Sequence, residues 1–299
     1  MPQTFNPDNV LLSQKPDGEL LPNFNNVVLK DVRDQSLVTQ LGRYEEMDGQ
    51  EKKFQFQTDG VSAYWVDEGQ KIQTTKPTMA EATMRAHKLG VIVLASREFL
   101  TYTWTDFFNE IRPQLAEAFR LKLDEAAILN VDNPFKNSIE QAVQSTGNVL
   151  ENAEITYDNV LALEDILYAH DVDPNAFISK RQNRTALREA GVSENGVRRE
   201  IYDRSANEID GIYVADFPST NFKKGNLYAG DFDSLRYGIP FPINYKISEE
   251  GQLSTITNED GSPVNLFEQE LIAMRATMDV AVHILKDNSF AKLQAVPEV

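Results

Sequence analysis

The sequence predicts an α+β protein made of a projecting two-stranded ribbon, one long helix and a series of short mixed elements. Three observations carry this expectation. Between Lys53 and Leu100, apolar and polar side chains alternate on both sides of a polar stretch. From Thr101 to Val131, apolar residues recur at the three-or-four spacing of a single helical face. Beyond Ile155, helical and strand-like patterns succeed one another at short intervals, as in a packed unit of sheet and helices.

Residues 1 to 40 read as an arm. Asn, Pro, Asp, Gln and Gly recur in NPDN and QKPDGELLPNFNN, and no sustained period is present before Val27. Such a segment cannot offset its own ordering entropy. Yet it carries Leu11, Leu12, Leu20, Leu21, Phe24, Val27, Val28 and Leu29. That is more apolar surface than a solvated tail needs, so the arm is expected to lie across neighbours.

The ribbon follows. Phe54 and Phe56 alternate with Gln55 and Gln57, and Thr58-Asp59-Gly60 breaks the run. A second extended piece runs from Val61 to Val66, and Asp67 to Pro77 forms a polar tip. The return path from Thr78 alternates again and ends in the apolar run Val91-Ile92-Val93-Leu94. An isolated hairpin is marginal in water, and Tyr64, Trp65 and Met84 find few local partners. The ribbon is therefore expected to lie on another copy of the chain.

The long helix places Trp104, Phe107, Phe108, Ile111, Leu115, Ala118, Phe119, Lys122, Ala126 and Leu129 on one face. Thr103 or Thr105 is a candidate cap, and Pro113 is expected to kink the helix or start a second one. Roughly 25 residues would span about 40 Å. Asp132 to Glu154 reads as turns. A second helix covers Ile155 to Ala169, with Thr156 as N-cap and Val160, Leu163, Ile166 and Leu167 inward. Ala176 to Ser179 reads as a buried strand, and Asn183 to Ala190 as a helix closed by Gly191. Gly211 to Val214, Leu227 to Ala229 and Ile243 to Ser248 read as strands, and Asn258 to Gly261 as a turn. Gly230 is expected to supply a positive φ, with Asp231 capping the turn. The tail from Val264 to Leu285 mixes apolar and polar residues and alternates from Ala281 to Lys286.

Composition bounds the function. The chain has 299 residues, 41% hydrophobic and 25% charged, ordinary for a globular protein. It carries no cysteine, so disulfides, thiolate catalysis and zinc-thiolate sites are excluded. No run approaches the roughly 18 apolar residues of a membrane span, and the first residues lack the pattern of a signal peptide. The net charge of -17 argues against a dedicated nucleic-acid binder. It supports solubility through colloidal repulsion; a sharper reading is a container wall that repels packed polyanion.

Catalytic signatures are missing. His87, His170 and His283 lie in separate segments without a second ligand at metal spacing; His87 and His283 read as structural, and His170 is placed to favour the C-terminus of its helix as a cation. No phosphate loop, dinucleotide fingerprint or nucleophile elbow is present. Glu249-Glu250 and Glu259-Asp260 flank turns and lack calcium-loop spacing. Asn183-Arg184-Thr185 matches a glycosylation sequon without a secretory context. The expectation is no enzyme, no cofactor and no metal.

The residues Ala63, Trp65, Val66, Glu68, Gly69 and Lys71, followed by Ser96-Arg97-Glu98-Phe99-Leu100, also occur in a telling order. Alternating strand, A-x-W-V-x-E-G, polar tip with lysine, return strand and S-R-E-F-L resemble the extended loop of tailed-bacteriophage major capsid proteins of the Hong Kong 97-type fold. Ala176 to Lys180, Asp210 to Val214 and Gly230-Asp231-Phe232 resemble steps of that family's axial domain. The resemblance implies an N-terminal arm (1–43) and an extended β-hairpin loop (44–100). It implies a peripheral domain with its spine helix (101–150 and 243–299) and an axial domain (151–242). Phe290 and Leu293 would end the closing strands of the peripheral domain, and no large fused scaffold domain would precede the loop.

The implied function is structural. Copies would form hexamers and pentamers of an icosahedral shell around double-stranded DNA, without sequence-specific contact. A portal protein and a separate scaffold protein would be partners, no membrane would be involved, and assembly would occur in the host bacterial cytoplasm, the virion capsid being the destination. An encapsulin-like compartment is the alternative, although its family usually begins with a cargo-docking helix that this arm lacks. A soluble enzyme is the remote one. Inter-subunit contacts are expected at Tyr64, Trp65, Glu68, Lys71 and Lys76. Some such shells weld themselves through lysine, asparagine and glutamate. Here the loop offers Lys71 or Lys76, but the other two positions fall on Gln269 and Ala276, so no self-crosslinking is expected.

Overall fold

The computed structural model describes residues 3–4, 32, 35–57, 62–72, 74–76, 79–194, 197–241 and 243–296. The arm residues Leu11 to Leu29 singled out above lie outside them, as do the side chains of Trp104, Phe107 and Phe108. In chain order the first elements are β1 (Gln3–Thr4), α1 (Leu37–Leu41), β2 (Arg43–Tyr44), β3 (Glu51–Gln57), β4 (Met79–Arg85), β5 (His87–Ser96) and α2 (Arg97–Leu129). Then come α3 (Ile139–Thr146), β6 (Val149–Leu150), α4 (Tyr157–Tyr168), β7 (Ala176–Ser179), α5 (Arg184–Glu189), β8 (Gly191–Glu194), β9 (Val197–Glu200), β10 (Tyr202–Asp203), β11 (Glu208–Ile209) and β12 (Ile212–Asp216). The chain closes with β13 (Leu227–Gly230), β14 (Leu235–Gly238), β15 (Asn244–Ser248), β16 (Gln252–Thr257), β17 (Pro263–Asn265), β18 (Leu271–Ile284) and β19 (Phe290–Leu293).

Two sheets organise these elements. β18 is the spine of the first. β5 runs antiparallel to its residues 271–280, β15 pairs with 273–277 and β14 with 281–284. The second has the order β10-β11-β12-β7-β13-β19-β6. Its inner strands β7, β13 and β19 are short and buried on both faces, as in a sheet covered on both sides. Ala176, Ile178, Ala215, Tyr228 and Phe290 face one core, shared with α2, α3 and β18. Phe177, Val214, Leu227, Ala229, Ala291 and Leu293 face the other, under α4.

Several expectations are corrected. The return path of the ribbon is split: β4 pairs with β3, whereas β5 leaves the hairpin and pairs with β18. Ten register pairs with a central strand, and Val91 and Val93 packed on Leu115 and Met274, outweigh anything a free ribbon offers. Residues 62–67 form no strand. α2 begins at Arg97, so Thr103 and Thr105 are interior, not caps. At 33 residues it spans about 50 Å. Pro113 sits inside this single helix on its exposed side, where water can solvate the carbonyl it frees. Ala118 and Lys122 are exposed, and Lys122 pairs with Asp132 at 3.1 Å; the buried face is carried by Leu115, Ala116, Phe119, Leu123, Ala126 and Ala127.

The stretch read as turns holds α3, capped by Ser138, whose hydroxyl accepts from the Gln141 amide at 3.2 Å, and closed by Gly147 at φ 74°. Gly191 is not a helix terminator but opens β8, paired with Glu200. Gly230 has no positive φ; a Cβ there would fall on the Phe290 ring and lie 2.6 Å from the Ser289 carbonyl oxygen. Phe290 and Leu293 are fully buried in β19, between β13 and β6, not in the sheet built on β18. α4, β7, β13 and β15 fall where their sequence patterns place them, and Thr156 caps α4 by accepting from the Asn159 amide at 3.3 Å.

The end of the arm is tied to the chain's own spine. The Asp124 carboxylate on α2 accepts from the Ser36 hydroxyl at 2.6 Å and from the Leu37 and Val38 amides, both at 3.1 Å. It thereby caps α1 from another element.

Candidate assembly surfaces

The ribbon is anchored at its base. Phe54 packs with Met47, Met84, Ala86 and Ala281, and its ring meets the buried His283 edge-on at 6.2 Å. Lys52 reaches Glu45 at 3.2 Å, and Arg236 on β14 reaches the same carboxylate at 2.9 Å. Up the ribbon the apolar face opens: Met84 and Ala82 are buried, whereas Ala80 and Phe56 are only half-buried. The cross-strand pairs Arg85–Glu51 (3.4 Å) and Lys53–Glu81 (3.3 Å) are solvent-exposed and contribute little stability to the free chain.

Beyond β3 and β4, two hydrogen bonds join described residues of the loop. The Gln70 amide donates to the Asp67 carbonyl at 3.1 Å around Gly69, whose φ of 82° suits the turn. The Thr75 hydroxyl donates to the Ser62 carbonyl at 2.9 Å and joins the two sides. All five expected contact residues, Tyr64, Trp65, Glu68, Lys71 and Lys76, lie on this loop and are exposed. Trp65 is fully so, at 105% of its reference area. Glu68 and Lys71 form no ion pair with each other or with any other described residue. Sequence reasoning passed over Ile72, 79% exposed on the same loop, and Phe267, 76% exposed on the turn before β18. The available signal was a large apolar residue inside an otherwise polar turn.

His87 stacks edge-on against Phe135 at 5.8 Å, His283 is buried, and His170 is exposed just past α4. Burial, with Lys136 nearby, holds the His283 imidazole below its ordinary pKa, while Asp287 acts the other way. Asn183 is 1% exposed, and its side chain bonds Ser179, the Asn226 carbonyl and the Gly225 amide, so the sequon is inaccessible. Among the described residues, no cluster of three or more His, Asp or Glu is placed to hold a metal ion. No described helix is long and apolar enough to cross a membrane.

The Phage capsid family matches residues 18–295. The chain belongs to the phage capsid family. Across 293 residues it is 52% identical to the major capsid protein of Staphylococcus phage 80alpha, covering 98% of this chain and 90% of that protein. Among solved structures it resembles a chain of Microbacterium phage Oxtober96 with a TM-score of 0.71, 20% identity and coverage of 96% and 97%. It also resembles the capsid of an empty GTA particle, with a TM-score of 0.64, 13% identity and coverage of 96% and 94%. The fold of this capsid protein is the Hong Kong 97 type, and its role is the structural one of a tailed-phage major capsid protein.

Proposed function

We propose that copies of this chain close into pentamers and hexamers, and that these build an icosahedral shell around double-stranded DNA. The ribbon of each copy lies across its neighbour, with Tyr64 and Trp65 as anchors and Glu68, Lys71 and Lys76 as polar contacts. The observation that carries this reading is the fully exposed Trp65 on a ribbon whose core ends at its base. Large aromatics dominate interface energetics, and leaving an indole in water is unfavourable.

The arm (1–43), loop (44–100), peripheral domain (101–150 and 243–299) and axial domain (151–242) are proposed as the working parts. Residues 290–293 lend an inner strand and residues 149–150 an edge strand to the axial sheet. A portal protein and a separate scaffold protein complete the head, assembly takes place in the host bacterial cytoplasm, and the chain has no turnover of its own. The net charge of -17 suits a wall that holds packed DNA without binding it. An enzyme-holding compartment is the less favoured reading, since the matched relatives are phage capsids.

The test is negative-stain electron microscopy of the full chain, expressed alone and with the scaffold protein of its own phage, beside Trp65→Ala. Closed shells or tubes from the native chain, lost in Trp65→Ala with an unchanged melting temperature, support the reading. A chain that stays monomeric in both settings overturns it.

A further inference from the structure

The base of the ribbon encloses an ionisable group. His283 is the penultimate residue of β18 and is 6% exposed. Its Nδ1 is buried and has no hydrogen-bond partner. The ring meets Phe54 of β3 edge-on at 6.2 Å, and Phe54 packs in turn with Met47, Met84, Ala86 and Ala281. This small apolar cluster is where the ribbon rests on the central strand of the first sheet.

The same place is built to bend. β4 ends at Arg85 and β5 begins at His87, so Ala86 alone separates a strand paired with β3 from one paired with β18. On the other side the chain enters β3 through the bend Asp48-Gly49-Gln50, where a Cβ on Gly49 would meet nothing within 4 Å. The Ala86 amide donates to the Gln50 carbonyl at 2.8 Å and ties the two bends together. A two-stranded body with one short bend on each strand is a hinge.

The charges around the imidazole do not welcome a proton. Lys136, in the chain between α2 and α3, opposes its protonation, and Asp287, in the turn after β18, favours it. Across the strand pair His283 faces Arg236 of β14. The Glu45 carboxylate is already shared by Arg236 at 2.9 Å and Lys52 of β3 at 3.2 Å. A proton on His283 would therefore add a buried charge, and a buried donor without an acceptor, to an apolar cluster flanked by cations. Hydration of the ring relieves that cost. The ribbon is the side that gives way, because β3 and β4 form a sheet of two strands, whereas β18 is held by β5, β14 and β15.

We propose that His283 is a proton-operated latch for the ribbon: the neutral imidazole holds Phe54 and the ribbon base down on β18, and the imidazolium frees them to turn about Gly49 and Ala86. The inference concerns the free chain and stands whether or not copies close into a shell. The closed base holds His283 below its ordinary 6.5, so the closed form takes up a proton less readily than the open one. Closure is complete above that value and weakens as pH falls below it. One proton taken up on opening raises the opening constant by a factor that approaches tenfold per pH unit.

The chain has no cysteine, so a single introduced thiol reports on the base. The test is the rate at which a pyridyl disulfide modifies Met84→Cys, and separately Ala281→Cys, in the free full-length chain at about pH 7.5 and about pH 5.5. Each rate is divided by that of the exposed Gln55→Cys, which removes the reagent's own pH dependence. The ratio is expected to rise at least about threefold at the lower pH. Ala229→Cys, buried in the second sheet, is expected to show no such rise. Adding His283→Gln is expected to abolish the response, and adding His87→Gln to leave it in place. Equal ratios at the two pH values overturn the inference. So does a response that persists in His283→Gln, or one that Ala229→Cys shares.

A second measurement needs no change at His283. The three histidine rings of the native chain are followed by histidine-selective NMR and assigned with His87→Gln and His170→Gln. Charging of the His283 ring is expected to run parallel to the rise in thiol reactivity. A ring that stays neutral where the base opens, or that becomes charged while the base stays closed, overturns the latch.

Discussion

Asp124 on the spine helix and Glu164 on the axial helix are both buried carboxyl groups, and their surroundings differ in one respect. Asp124, 0% exposed, accepts three hydrogen bonds from the start of α1. Glu164, 2% exposed, has a buried oxygen that accepts none and faces acids. Burial pushes the Asp124 pKa up to about 6 against the pull of Ser36, Val38, Leu37 and Arg120. Burial pushes Glu164 up to about 7, and Asp210 and Asp165 add to it. The difference separates a carboxyl whose hydrogen-bond donors come from another element of the chain from one that burial and like charges drive towards its protonated form.

The comparison breaks most visibly at Asp124. Asp124→Ala leaves a buried hydroxyl and two buried amides without an acceptor. It should cost about 4 kcal/mol in urea unfolding of the free chain and release the 36–41 segment to proteolysis. Asp124→Asn, which keeps the shape and one acceptor oxygen, should cost about half as much.

Glu164→Gln should act in the opposite direction, and only where the acid is ionised. The folded pKa of about 7 lies above the ordinary 4.5, so the fold holds this proton more tightly than the unfolded chain does. That contribution is complete below pH 4.5, declines as pH rises towards 7 and is absent above it. Relative to the native chain, Glu164→Gln should therefore gain about 2 kcal/mol at pH 8 and nothing at pH 4. A gain of the same size at both pH values would mean that packing, not charge, sets the cost of this site.

Smaller effects sharpen the contrast. Thr156→Ala removes the cap at the other end of α4 and should cost about 1 kcal/mol at every pH, since no titrating group is involved. Lys71→Ala and Lys76→Ala should leave the melting temperature of the free chain unchanged, as neither side chain touches the folded core. Native particles dissolved in detergent should run as a single monomer band; a ladder of covalent multimers would show a cross-link that the Gln269 and Ala276 positions argue against.

Local chemistry was legible in the sequence. α4 announced itself through Thr156 and the spacing of Val160, Leu163 and Leu167, and β7 through three consecutive apolar residues and a serine bounded by a proline-asparagine pair and a lysine. The exposed Tyr64 and Trp65 were legible as large aromatic residues on a loop with few apolar neighbours, whereas Met84, expected to find few local partners, is buried with Met47, Phe54, Ala86 and Ala281. Less legible was α3, whose signal is two turns between Ser138 and Gly147, hidden among Asn133, Pro134 and Asn137. The like charges around Glu164 were hidden as well, because Glu164 and Asp165 are separated from Asp210 in the chain and meet only through the parallel pairing of β7 and β12.

By itself the sequence determined several of the helices and strands, among them α4, β7, β13 and β15, and that no thiol chemistry is present. These follow from periodicity, capping and composition, which act over a few residues. The tertiary structure alone decided that β5 leaves its hairpin for β18, that Phe290 to Leu293 crosses into the other sheet, and that Gly230 is small because Phe290 is packed against it. Strand partners are chosen by competition among all available edges and cores. That competition depends on the whole chain and is not written in any one stretch of it.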